Sequence, residues 1–214
     1  MSTWSSLFAD IRNDLNDTSA TPRWTDTLLL LFAKDAVRIY SVNLPRLVYR
    51  EEISAKDGSF DLPAGVLSIV AVETQEGVYL GRFQPKPGKR VRAPGAANAY
   101  FTDGRKLYLN VAPVDENTLL LTYRAYYSVP TVVASTTDCG IPPEDEELIR
   151  LYVKAKISEQ MRLGQSSLDR FKPAGNRDDN PLLPEHNELM AEFHTRIAQR
   201  LGGVIPLNRG GRFS

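Results

Sequence analysis

Few residues in this chain are of types that carry chemistry, and their spacing decides what they can do. His186 and His194 are the only histidines. Eight helical residues at ~1.5 Å each put them about 12 Å apart, too far to share one metal ion, so both read as solvent-facing. Cys139 is the only cysteine, which excludes an intrachain disulfide and a cysteine zinc cluster and leaves a bland loop thiol. Gly88-Lys89 after Gly81 superficially suggests a phosphate loop. However, six residues separate the glycines where four are required, and Arg90 stands where Ser or Thr must hold magnesium. The run Glu144, Asp145, Glu146, Glu147 occupies consecutive helical positions whose side chains diverge, so it cannot aim its carboxylates at one substrate atom. It reads as a solvated helix start. No Gly-x-Ser-x-Gly elbow occurs, and two histidines on one helix give a catalytic triad little support. The expectation is a protein that is not an enzyme and holds no metal or cofactor.

Composition points the same way. Lys plus Arg is 26 and Asp plus Glu is 26, so no global field gathers nucleic acid or coats an acidic membrane, and charge-driven binding must be local. Apolar residues at 42% and charged ones at 24% are ordinary for a folded globular chain. The longest strongly apolar run, Leu28 to Ala33, falls far short of the roughly 20 residues that cross a bilayer. Met1 to Asp10 lacks a basic start followed by an apolar stretch, so the expectation is no secretory signal and a protein that stays in the cytoplasm.

The elements follow from periodicity. Trp4, Leu7, Phe8, Ile11 and Leu15 share one face of a first amphipathic helix. Thr25 can cap a second helix carrying Leu28, Leu31, Phe32, Ile39 and Tyr40, which Pro45 stops. From about Leu47 the texture changes to short segments rich in Val, Ile, Tyr, Leu and Thr between Gly, Pro and Asp, which predicts five or six strands and a hairpin centred on Asp103-Gly104. The four acids then open a third helix with Leu148, Leu151, Tyr152, Ala155 and Met161 facing inward. Residues 165–184 read as a polar loop broken by Pro173, Gly175 and Pro181. A fourth helix carries Leu189, Met190, Phe193, Ile197 and Leu201 and stops at Gly202-Gly203. The predicted fold class is α+β: a four-helix bundle core (residues 1–45 and 133–203) with an inserted small antiparallel β module (46–132) and an extended C-terminal arm (204–214).

Two local charge patterns stand out. Between Arg82 and Lys106 the chain carries Arg82, Lys86, Lys89, Arg90, Arg92, Arg105 and Lys106 against Asp103 alone. Of these, Lys86, Lys89, Arg90 and Arg92 form a candidate loop for DNA or ring contacts, competing with a plain solvated loop because no aromatic platform is interleaved. After Glu192 there is no side-chain acid, while Arg196, Arg200, Arg209 and Arg212 accumulate around Val204, Ile205, Leu207 and Phe213. Regularly placed large apolar residues favour a docking arm, with Val204, Ile205, Leu207, Arg209, Arg212 and Phe213 as its contacts, over a disordered tail.

One series of short motifs runs in a consistent order: Trp24 to Leu29, Asp61-Leu62-Pro63 before the strand Val66 to Val72, Leu107 to Pro113, Leu119 to Tyr127, and Asp138 through Ile141-Pro142-Pro143 before the third helix. This order resembles the tailed-bacteriophage head-to-tail adaptor family, the head-completion or portal connector proteins below the portal ring. The likeness spans about residues 1 to 200. It implies a structural adaptor with no catalytic residues, located in the virion neck after assembly in the host cytoplasm. It further implies a ring of twelve copies that binds the portal protein and tail-side connector or tail proteins, touches packaged DNA non-specifically, and extends the DNA channel without contacting a membrane. The alternative is a nucleic-acid-binding accessory module built on the basic loop 82–106. Ring formation without salt-sensitive DNA affinity separates the two.

Overall fold

The computed structural model describes residues 2–56, 59–83, 99–109, 118–169 and 182–202. It divides into two compact units, Met1–Leu44 with Tyr127–Ser214, and Pro45–Tyr126.

The first unit is helical. α1 (Trp4–Asp14) starts where the Thr3 hydroxyl accepts from the Ser6 amide at 3.2 Å, and it buries Trp4, Leu7, Phe8 and Ile11. α2 (Asp26–Asn43) starts at Thr25, whose hydroxyl accepts from the Leu28 amide at 3.3 Å. It ends just before Pro45, which disfavours helical φ/ψ at Leu44. Between them buried Asp17 ties the turn: its carboxylate accepts from the Arg23 and Trp24 amides at 2.6 and 3.1 Å and from Arg12 at 2.8 Å. A short 3-10 turn (Pro143–Asp145) leads into α3 (Glu146–Asp169), and α4 (Leu182–Arg200) follows.

The expected four-helix bundle core is not what forms. α1, α2 and α4 each pack against α3 and not comparably against one another, so α3 is a hub. Part of the surface that a bundle would fill with helix is taken by an extended segment. The Trp4 and Ser5 amides bond the carbonyls of Thr137 and Ser135 at 3.1 and 2.8 Å, and Cys139 and Ile141 are buried in the core. An 11-residue α1 is too short to line a 24-residue α3, and the extended backbone extends that cover.

α3 also runs further than its sequence suggests, to Asp169, and α4 begins at Leu182 inside the stretch read as loop. Pro184 causes no break there, because in a first helical turn the missing N–H would have had no helical partner.

The second unit contains β1 (Arg46–Lys56), β2 (Ser59–Asp61), β3 (Val66–Thr74), β4 (Gly81–Arg82), β5 (Ala99–Asp103), β6 (Lys106–Leu109) and β7 (Thr118–Ala125). They form one sheet in the order β3-β7-β1-β2-β6-β5-β4. The expected small antiparallel module is corrected on two counts. The sheet is mixed, since β4 runs parallel to β5, and it is nearly closed into a barrel. The tight turn after β3 brings the two edge strands together: Thr74 donates to the Val78 carbonyl at 2.9 Å and Leu80 to the Val72 carbonyl at 2.8 Å. Near-closure leaves little open edge and turns one face of the longer strands inward, onto a core that includes Ile53, Phe60, Val72, Leu80, Tyr100, Leu107, Leu119, Leu121 and Tyr123. The β5–β6 turn is displaced by one residue from its expected centre. Asp103 pairs with Lys106, so Gly104 and Arg105 are the central residues, and Gly104 supplies the positive φ of 58° at the first of them.

A bulge between Val48 and Glu51 puts Arg50 in the left-handed region at φ 51°. Its amide donates to the Thr122 hydroxyl at 3.2 Å, and its guanidinium lies 3.5 Å from Glu73, a buried acid in β3. Removing that cation leaves a buried carboxylate without its pair. Arg50→Ala is therefore expected to destabilise the full-length protein by about 1–3 kcal/mol. Arg50→Gly loses the same pair but sheds the ~1–2 kcal/mol penalty of left-handed φ on a residue with a Cβ, so its urea midpoint should lie above that of the alanine variant. A glycine variant no more stable than alanine would show that the bulge is unstrained.

Candidate assembly surfaces

The two groups singled out from the sequence, Lys86, Lys89, Arg90 and Arg92 in the basic loop and Val204, Ile205, Leu207, Arg209, Arg212 and Phe213 in the arm, lie outside the described residues. What the structure does place is the frame from which each segment departs. The basic loop leaves β4 and re-enters at β5. Gly81 pairs with Ala99 and Arg82 with Tyr100, and the Phe83 amide bonds the Tyr100 carbonyl at 2.7 Å. Parallel neighbours cannot be joined by a tight hairpin and need a connection of about a dozen residues or more, so a long insertion at this point is a requirement of the topology. Its basic content is additional to that requirement.

The arm departs from the end of α4. The Leu201 amide still bonds the Ile197 carbonyl at 3.1 Å, the Gly202 amide turns back to Gln199 at 3.0 Å, and Gly202 adopts φ 67°. A glycine C-cap needs that left-handed conformation. Arg196 and Arg200, counted from the sequence with the basic residues of the arm, are already engaged by acids. Arg196 lies 2.5 Å from Glu147 and 2.6 Å from Glu192, and Arg200 donates to Asp145 at 2.6 Å.

That arrangement corrects the reading of the acid run as a solvated helix start at Asp145, while Glu144 and Glu147 remain exposed. Asp145 is buried and also accepts the Tyr40 hydroxyl at 2.8 Å. Burial and this bond to a carboxylate push the Tyr40 phenol far above its usual range, while the adjacent acids raise Arg196 and Arg200 further. Glu146 accepts from the Ser2 hydroxyl. Nothing in the sequence signals these partners, because Tyr40 and Arg200 stand 105 and 55 residues from Asp145.

The histidines stay apart. His194 is exposed against the edge of Phe193, whereas His186, expected to face solvent, is half-buried with Nδ1 2.8 Å from the Ala155 carbonyl. Cys139 is a core residue, exposed by only 2%. Among the described residues no group of three or more His, Cys, Asp or Glu side chains could hold a metal ion, and no helix is long and apolar enough to cross a membrane.

Several large apolar side chains remain open to solvent. Leu47 and Tyr49 in β1 and Val70 in β3 flank β7, Tyr79 follows in the turn after β3, and Leu31 and Val42 lie on α2. Alternation along a strand marks two faces but does not say which face is covered, so this exposure was not legible in the sequence.

No curated protein matches the chain. The family model described as SU10 adaptor protein matches residues 2–182, spanning α1, α2, the whole sheet and α3 and ending where α4 begins. The chain belongs to the SU10 adaptor protein family, a family of phage head-to-tail adaptors.

Proposed function

We propose that this chain is the neck adaptor of a tailed phage, twelve copies of which form a ring below the portal protein, continue its DNA channel and receive the tail-side proteins. The observation that carries this reading is the family match over residues 2–182. A balance of 26 basic and 26 acidic residues supports it, because identical neighbours of high net charge would repel around a closed ring. Exposed Leu47, Tyr49 and Val70 offer apolar area for such contacts. In this reading Lys86, Lys89, Arg90 and Arg92 face DNA or a ring neighbour, and residues 204–214 dock on the portal or an adjacent subunit. The test is the mass of the purified protein alone and after mixing with portal rings. A portal complex heavier by twelve subunits is expected; no change in the portal's mass would overturn the proposal.

A further inference from the structure

Past Ile197, no described side chain of α4 or of the two residues after it is buried: Ala198 is half-buried, Gln199, Arg200 and Gly202 are exposed, and Leu201 is 53% exposed. Apolar packing of α4 therefore stops at Ile197, and a helix end without such packing frays. The attachment present is ionic. Arg200 donates through Nε to Asp145 Oδ1 at 2.6 Å and lies 3.5 Å from Glu144. The second Asp145 oxygen is held by the Tyr40 hydroxyl of α2 at 2.8 Å, so the acid is fixed from one side and grips α4 from the other. A planar guanidinium can bridge two carboxylates in this way, which a point-charge ammonium does less well. One turn earlier Arg196 repeats the link to Glu147.

We infer that Asp145 and Arg200 are positioning residues for docking: they clamp the end of α4 beyond Ile197 and so fix the point from which the arm, residues 204–214, is carried. This rests on the reading of that segment as a docking arm. A segment that departs from a fixed point loses less conformational freedom on binding than one that departs from a frayed helix. Releasing a single residue is equivalent to weakening capture by about tenfold, since ordering each backbone residue costs ~1–2 kcal/mol.

Full-length protein, Arg200→Leu, Arg200→Lys and a deletion of 204–214 would be compared by hydrogen exchange and by affinity for portal rings. Arg200→Leu should lose amide protection at Leu201 and Gly202 while α2 and α3 keep theirs, and bind portal about tenfold more weakly. Arg200→Lys should recover part of both, and the deletion should abolish binding. Wild-type affinity in Arg200→Leu, with binding still lost on deletion, would overturn the clamp and leave the arm standing. Undiminished binding by the deletion would overturn the arm and the clamp's role with it. Unchanged protection at Leu201 and Gly202 in Arg200→Leu would overturn the clamp whatever the binding shows.

Discussion

Phe193→Ala is expected to destabilise the protein by about 3–5 kcal/mol, the usual range for emptying a fully buried aromatic site. Phe193 is 0% exposed, and its ring tilts against Tyr152 of α3 with centroids 5.2 Å apart. It and Ile197 are the buried apolar side chains that α4 contributes among the described residues. The cavity would open at the α3–α4 contact. Urea unfolding followed by circular dichroism measures the loss, with Gln199→Ala, an exposed position on the same helix, as a control expected within ~0.5 kcal/mol. A loss under 1 kcal/mol for Phe193→Ala would mean that α4 is not held by that contact.

Deleting residues 204–214 is expected to leave the melting transition unchanged and to abolish capture by portal rings. Eleven residues extend about 35 Å at most, enough to reach from one subunit onto another protein. Val204, Ile205, Leu207 and Phe213 would be the apolar anchors, each worth roughly 1.5–3 kcal/mol on burial before ordering is subtracted. Arg196 and Arg200 are already paired within the helical unit, so in this proposal the charged partner contacts fall to Arg209 and Arg212. Sedimentation of portal rings with each form of the protein reads the result, and equal co-sedimentation would reduce the segment to an end without a docking role.

What the sequence made legible depended on how local the determinant was. Thr25, Pro45 and Gly202 act on their immediate neighbours, and the ends of α2 and α4 were read from them. The face of α1 was likewise visible in the spacing of Trp4, Leu7, Phe8 and Ile11. β2 and β4, at three and two residues, are too short to show alternation, so neither the closure of the sheet nor its parallel pair was visible. The hub role of α3 was hidden because periodicity reports one apolar face, not how many partners share it. The burial of Asp145 within the acid run was missed for a related reason. Divergent side chains on a helix start do exclude a shared substrate atom, but they also reach three separate partners, Tyr40, Arg196 and Arg200, that only the fold brings near.

The pairing of Arg46 with Ala125 has a consequence for the order in which the chain is made. α1 and α2 leave the ribosome first, yet their shared partner α3 starts at Glu146, about 100 residues later. At ~5–20 residues per second the wait is on the order of 5–20 s. During it the β unit can finish, since its last strand closes it at Ala125, while Trp4, Phe8, Leu29 and Phe32 have no cover. The interval between the emergence of α2 and that of α3 is the period in which these apolar faces are exposed to aggregation, and it is set by the length of the insertion and not by the stability of either unit.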